Sequence, residues 1–170
     1  MYLKGFIVRK KKICSWNNTY FSKANVVYPK GINELKKLIK LLKKKNKKYL
    51  IRTGACSYDS KSINPSLDTI IISLFYFKKI IKINVPKKII EVEAGVLISE
   101  IIKEVKKKYL TLYSVPGGEN ITIGGAISAN TIGKDSSPVI SSFGDSLEYL
   151  VVLTNDGIVK KISKKNKLFK

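Results

Sequence analysis

The chain contains no histidine, two arginines (Arg9 and Arg52), two cysteines, one methionine and one tryptophan among 170 residues. Without histidine there can be no ordinary His-containing zinc site and no catalytic triad with a histidine base. Cys14 and Cys56 lie far apart, without Cys-x-x-Cys spacing. That pattern is not a disulfide framework, and it predicts free thiols in a reducing compartment, by default the cytoplasm. The scarcity of arginine argues against a surface built to grip phosphates bidentately. Long apolar runs are missing too: the longest, around residues 70–77, falls far short of the roughly 18–20 residues a membrane helix needs. The opening MYLKGFIVRKKKI places its charges after a short apolar patch and has no small-residue cleavage site, so neither a signal peptide nor a transmembrane segment is expected.

Lysine, isoleucine and asparagine are abundant. The net charge is +21 and 44% of the residues are hydrophobic. The lysines occur in every segment rather than in one cluster, so they read as a solvated surface and not as a specific nucleic-acid face. A chain of this length can bury roughly two-thirds of its unfolded surface, as one domain or as two small lobes sharing a core.

Periodicity predicts an amphipathic helix over 33–48, with Leu35, Leu38, Ile39, Leu41 and Leu42 on its apolar face and Asn33 as its N-cap. Strands are expected at 49–52 and 69–74, and a hairpin at 80–85 and 88–94 that Gly95 closes. A second amphipathic helix follows over 97–109, and a terminal hairpin turns at Asn155-Asp156-Gly157. Strands and helices mix without the regular period of a Rossmann sheet, so the fold class is α+β.

Two small-residue loops stand out. The first is Arg52-Thr53-Gly54-Ala55-Cys56-Ser57-Tyr58-Asp59, directly after a strand. Successive backbone amides there can form a concave nest for a phosphate; alternatively the loop is a plain turn in which Gly54 supplies a positive φ. The second is the stretch VPGGENITIGGAISANTIGKDSSP, residues 115–138, where Gly124-Gly125-Ala126 opens a helix of small residues. Each glycine in a helix costs about 1 kcal/mol relative to alanine. Two explanations stand level: a ligand diphosphate at the unpaired amides of the helix start, or close packing of helix on sheet. Neither a P-loop nor a G-x-G-x-x-G motif is present, and two separated loops suggest a dinucleotide held between two lobes.

Set in order, several short stretches resemble the FAD-binding domain of the vanillyl-alcohol oxidase and p-cresol methylhydroxylase (PCMH-type) superfamily. They are Ser15-Trp16, Tyr28-Pro29, Glu34-Leu35, the loop from Arg52 to Asn64, Glu93-Ala94-Gly95, Pro116-Gly117, Thr122 to Ile127, Gly133-Lys134, Ser142-Phe143-Gly144 and Leu153-Thr154 with Asp156-Gly157. Within that superfamily the chain is most similar to the decaprenylphosphoryl-ribose oxidase and sugar-lactone oxidase branch. The resemblance implies a PCMH-type fold of two α+β subdomains, over 28–94 and 95–170 after a lead-in of 1–27, with the substrate domain absent. It implies a first diphosphate loop from Ile51 to Lys61, including Arg52, Thr53, Gly54, Ala55, Cys56, Ser57, Tyr58 and Asp59. A second is implied at Gly117 with Thr122, Ile123, Gly124 and Gly125, and Ile132, Gly133, Lys134 and Asp135 are placed near the flavin.

The departures from the family carry meaning. Thr53, Ala55 and Asp59 stand where similar proteins often have glycine, and Ile132-Gly133-Lys134-Asp135-Ser136-Ser137 replaces a histidine-rich segment. With no histidine to bond the flavin, the FAD is expected to be non-covalent. The resemblance implies a flavin-dependent oxidoreductase module acting on a sugar-type hydroxyl or lactone, its catalytic groups mostly elsewhere and no metal required. The alternatives are a truncated domain serving as a binding or assembly module with a separate substrate subunit, and polyanion binding through the lysines.

Overall fold

The run Ile70-Ile71-Ile72 carries no polar atom outside its backbone, so it is stable only where both faces of a strand are covered. In the computed structural model, which describes residues 3–60, 63, 68–118, 120–135 and 142–166, it is the centre of a four-stranded sheet and all three side chains are fully buried. The order across this sheet is β1 (Arg9–Cys14), β2 (Phe21–Val27), β4 (Ile70–Ser73) and β3 (Tyr49–Arg52). β1 and β2 are antiparallel, whereas β2 and β3 both run parallel to β4. Parallel neighbours need a crossover, and α1 (Ile32–Lys44) supplies it between β2 and β3. Ile71 packs with Ala24 and Val26 on one face, against Ile13, Tyr28 and Leu50; alternation turns Ile70 and Ile72 to the other.

The chain divides into two compact units. The first runs to Tyr76 and includes Leu153–Lys160; the second is Phe77–Val152, continuing from Lys161. In the second unit the hairpin β5 (Ile80–Asn84) and β6 (Ile89–Val92) packs Ile80, Ile90 and Val92 against Val96, Ile101 and Val105 at α2 (Ile98–Lys106). That shared core puts residues 77–94 with α2. The short α3 (Ile123–Ser128) sets Ala126 against Ile98 and Phe143. β7 (Tyr149–Leu153) and β8 (Val159–Ser163) form the terminal hairpin.

One expectation about local structure is corrected. α1 begins after Gly31, whose backbone is extended, and Asn33 lies inside its first turn without capping it. The carboxylate of Glu34 instead accepts the Lys30 N–H at 2.9 Å, so the first turn is closed from within. The lead-in contains two strands, and RKKKIC of β1 lies at the sheet edge with its lysines in water, so no apolar alternation announces it.

Candidate cofactor-binding loops

The first loop leaves β3 at Arg52 and is anchored by backbone groups of the lead-in. The Arg52 guanidinium donates to the Cys14 carbonyl at 2.7 Å, and the Trp16 N–H donates to the Ser57 carbonyl at 2.9 Å. Half-burial pulls the arginine's proton affinity down, but the group remains a cation. Burial pushes the Cys56 thiol up, with Arg52 opposing, so it stays protonated at neutral pH. Its sulfur lies 3.4 Å from the Gly54 carbonyl oxygen.

The left-handed residue of the loop is Ala55, with φ 60; the positive-φ glycines among the described residues are Gly5 and Gly157. The plain-turn alternative in which Gly54 supplies the positive φ does not hold, and the strain falls on a residue with a Cβ. Among the described residues, the amides of Gly54, Ala55 and Ser57 meet no protein acceptor. Small side chains and a left-handed residue thus leave a group of donors uncommitted. Ile51 and Tyr58 are exposed and Asp59 lies at the surface, while Lys61, Asn64 and Pro65 fall outside the described residues.

The second stretch separates into two parts with different causes. At α3 Gly124 answers to packing: a Cβ there would lie 2.8 Å from the Ala94 carbonyl oxygen and 2.9 Å from its Cβ. The helix start offers no unpaired amides, contrary to expectation. The Ile123 N–H donates to Val96 O and that of Gly124 to Ala94 O, both at 2.9 Å, while the Gly125 N–H is capped by the Thr122 hydroxyl at 3.3 Å. Thr122 is buried and bridged to Leu97. Close packing of the helix on the turn at Ala94 explains Gly124.

The other part brings distant residues together. Pro116 bridges to Gly133, and the Val115 N–H donates to the Asp135 carboxylate at 3.0 Å. A Cβ on Gly133 would fall 2.2 Å from Ser114 Oγ and 2.7 Å from Asp135 Oδ1; one on Gly117 would sit 3.2 Å from Lys134 Cε. Gly117, Gly133, Lys134 and Asp135 therefore form one cluster, and Ile132 beside it is 74% exposed. Beneath it the Ser114 hydroxyl is fully buried without a hydrogen-bond partner. Sequence reading does not single out Ser114; its one signal is its place two residues before the Pro116-Gly117 turn. Glu119, Ser136, Ser137 and Pro138 lie outside the described residues. Among the described residues no group of three acidic, cysteine or histidine side chains is placed to hold a metal.

The FAD binding domain family matches residues 24–163. The chain belongs to this family. As an FAD binding domain it shares 25% identity over 118 residues with the L-gulonolactone oxidase of Mus musculus, covering 69% of this chain and 26% of that protein. The cholesterol oxidase of B. sterolicum superposes on it with a TM-score of 0.83 at 16% identity, over 97% of this chain and 34% of that one. A Physcomitrella patens BBE-like 1 variant does so with a TM-score of 0.77 at 16% identity, over 96% of this chain and 37% of that one. The fold is thus the PCMH-type α+β FAD-binding fold, and the FAD binding domain spans about a quarter of the curated relative and a third of the solved structures.

Proposed function

We propose that this chain is the FAD-binding part of a flavin-dependent oxidoreductase that oxidises a sugar-type hydroxyl or lactone, and that it holds FAD non-covalently. The observation that carries the reading is the family match over residues 24–163 together with the uncommitted amides of Gly54, Ala55 and Ser57. Those donors suit the anionic diphosphate of FAD, because backbone N–H groups with no protein acceptor gain a charge-assisted hydrogen bond when an anion arrives. The cluster at Gly117, Gly133 and Lys134 supports a second contact. Its backbone can be approached closely, Lys134 brings a positive charge, and the orphaned Ser114 hydroxyl lies beneath. By contrast, the amides that start α3 are already spent on Val96, Ala94 and Thr122, so Ile123, Gly124 and Gly125 serve by positioning this segment.

Bound FAD supplies the acceptor for the two electrons and the hydrogen taken from the substrate. This chain's residues bind and orient it. The sugar-lactone assignment rests on the likeness to L-gulonolactone oxidase. Groups that select the substrate are proposed to lie in further polypeptide, within the same protein or in a separate subunit. With no histidine in the sequence the usual imidazole link to flavin is unavailable, and the free thiols of Cys14 and Cys56 support a reducing compartment, proposed to be the cytoplasm. Purified chain mixed with FAD should retain flavin absorbance through gel filtration and release all of it on denaturation. A folded chain that takes up no FAD would overturn the reading, and flavin that stays attached after denaturation would overturn the non-covalent part.

A further inference from the structure

The tip of the terminal hairpin is seated on the C-terminal end of α1 by three contacts. The Lys43 ammonium pairs with the Asp156 carboxylate, the Tyr49 hydroxyl donates to Asn155 Oδ1 at 3.2 Å, and the Lys40 stem covers Gly157, where a Cβ would come within 2.7 Å of Lys40 Cε. Beside this seat lies a cleft of about 520 Å³, walled by Lys43, Asn46, Lys47, Lys48, Thr69 and Asn155 among others. Its volume falls in the range of small-molecule sites. Every wall residue belongs to the first unit, and none is in either loop described above.

We propose that this cleft binds the phosphoryl group of a small phosphorylated metabolite. Lys47 and Lys48 have no acidic partner among the described residues, so they bring two uncompensated positive charges to one wall. Thr69 is 7% exposed and adds a hydroxyl to the wall. That hydroxyl can donate to an oxyanion in the cleft. Because Asn155 Oδ1 accepts from Tyr49, the amide NH₂ of Asn155 is left as a further donor. The negative end of the α1 dipole would oppose an anion, but its carbonyls are closed off: those of Leu41, Leu42 and Lys43 accept from the N–H groups of Lys45, Lys47 and Asn46. The balance of donors and charge therefore favours an anion with several acceptor oxygens over a metal cation or a neutral sugar.

The test is a ¹⁵N-correlation NMR titration of the whole chain, with and without saturating FAD, using inorganic phosphate and glycerol 3-phosphate at constant ionic strength. Saturable shifts confined to Thr69, Lys48, Asn155 and their neighbours are expected, unchanged by FAD. The Lys47→Gln/Lys48→Gln double variant should bind at least tenfold more weakly, and Lys36→Gln/Lys37→Gln on α1 should bind normally. Shifts that do not saturate, shifts spread over surface lysines, or unchanged binding by the first double variant would overturn the proposal. Competition by FAD would assign the cleft to the cofactor, and displacement of phosphate by a short single-stranded oligonucleotide would assign it to nucleic acid; either outcome overturns it as well.

Discussion

Ala55 holds φ 60, so the backbone carries strain that the side chain does nothing to relieve. A left-handed non-glycine residue costs about 1–2 kcal/mol, against about 0.5–1 kcal/mol of extra unfolded-state entropy that glycine brings. The strain wins. Ala55→Gly should raise stability by about 0.5–1 kcal/mol, seen as a rise of about 2–4 °C per kcal/mol in the melting temperature; a lower melting temperature would show that the loop is not held in this conformation. Gly124 is the opposite case. Alanine there gains about 1 kcal/mol of helix propensity, but its Cβ would press within 2.8 Å of the Ala94 carbonyl oxygen, and overpacking of this kind costs about 1–3 kcal/mol. Gly124→Ala is expected to lower the urea midpoint without changing the slope of the transition.

Among the elements, the turn at Asn155-Asp156-Gly157 shows how a local signal acquires a tertiary role. Gly157 adopts φ 74, as the turn type demands, while Asp156 is drawn to Lys43 on α1. The hydrogen bond from Lys43, and then its charge, hold the Asp156 carboxyl below the ordinary value of 3.8. A carboxyl depressed in the folded state contributes stability that is present above its unfolded value and lost as pH falls through the folded one. Asp156→Asn should therefore flatten the decline of melting temperature below about pH 4 and leave its slope near neutrality unchanged; an identical acid limb in the variant would rule the ion pair out as a contributor. Both partners are exposed, so the effect is small. The strands 49–52 and 69–74, both hairpins and both long helices are legible in sequence because each has a clean period or a strong turn residue. β1 is not, since a lysine-covered edge strand has no apolar alternation to read. The loops were legible as loops through their small residues, whereas the engaged amides of α3 were not, because their acceptors Val96 and Ala94 lie nearly thirty residues away in the chain.

For the whole molecule, a net charge of +21 dominates the behaviour in solution. Self-repulsion of that size destabilises the compact state, and salt screens it with a Debye length of about 10 Å at 0.1 M. The melting temperature should rise as sodium chloride is raised from low to physiological concentration, and a flat or falling curve would mean that the lysines are compensated by local pairs. The sequence by itself determined the charge, the absence of histidine chemistry, the α+β class and the family's order of small-residue loops, because these reside in composition and short-range pattern. Only the tertiary structure decided which glycines make room for a neighbour, which amides remain for a ligand, and that Lys47, Lys48 and Thr69 meet in one cleft. Those outcomes depend on atoms distant in sequence sharing the same space, and no local period encodes that.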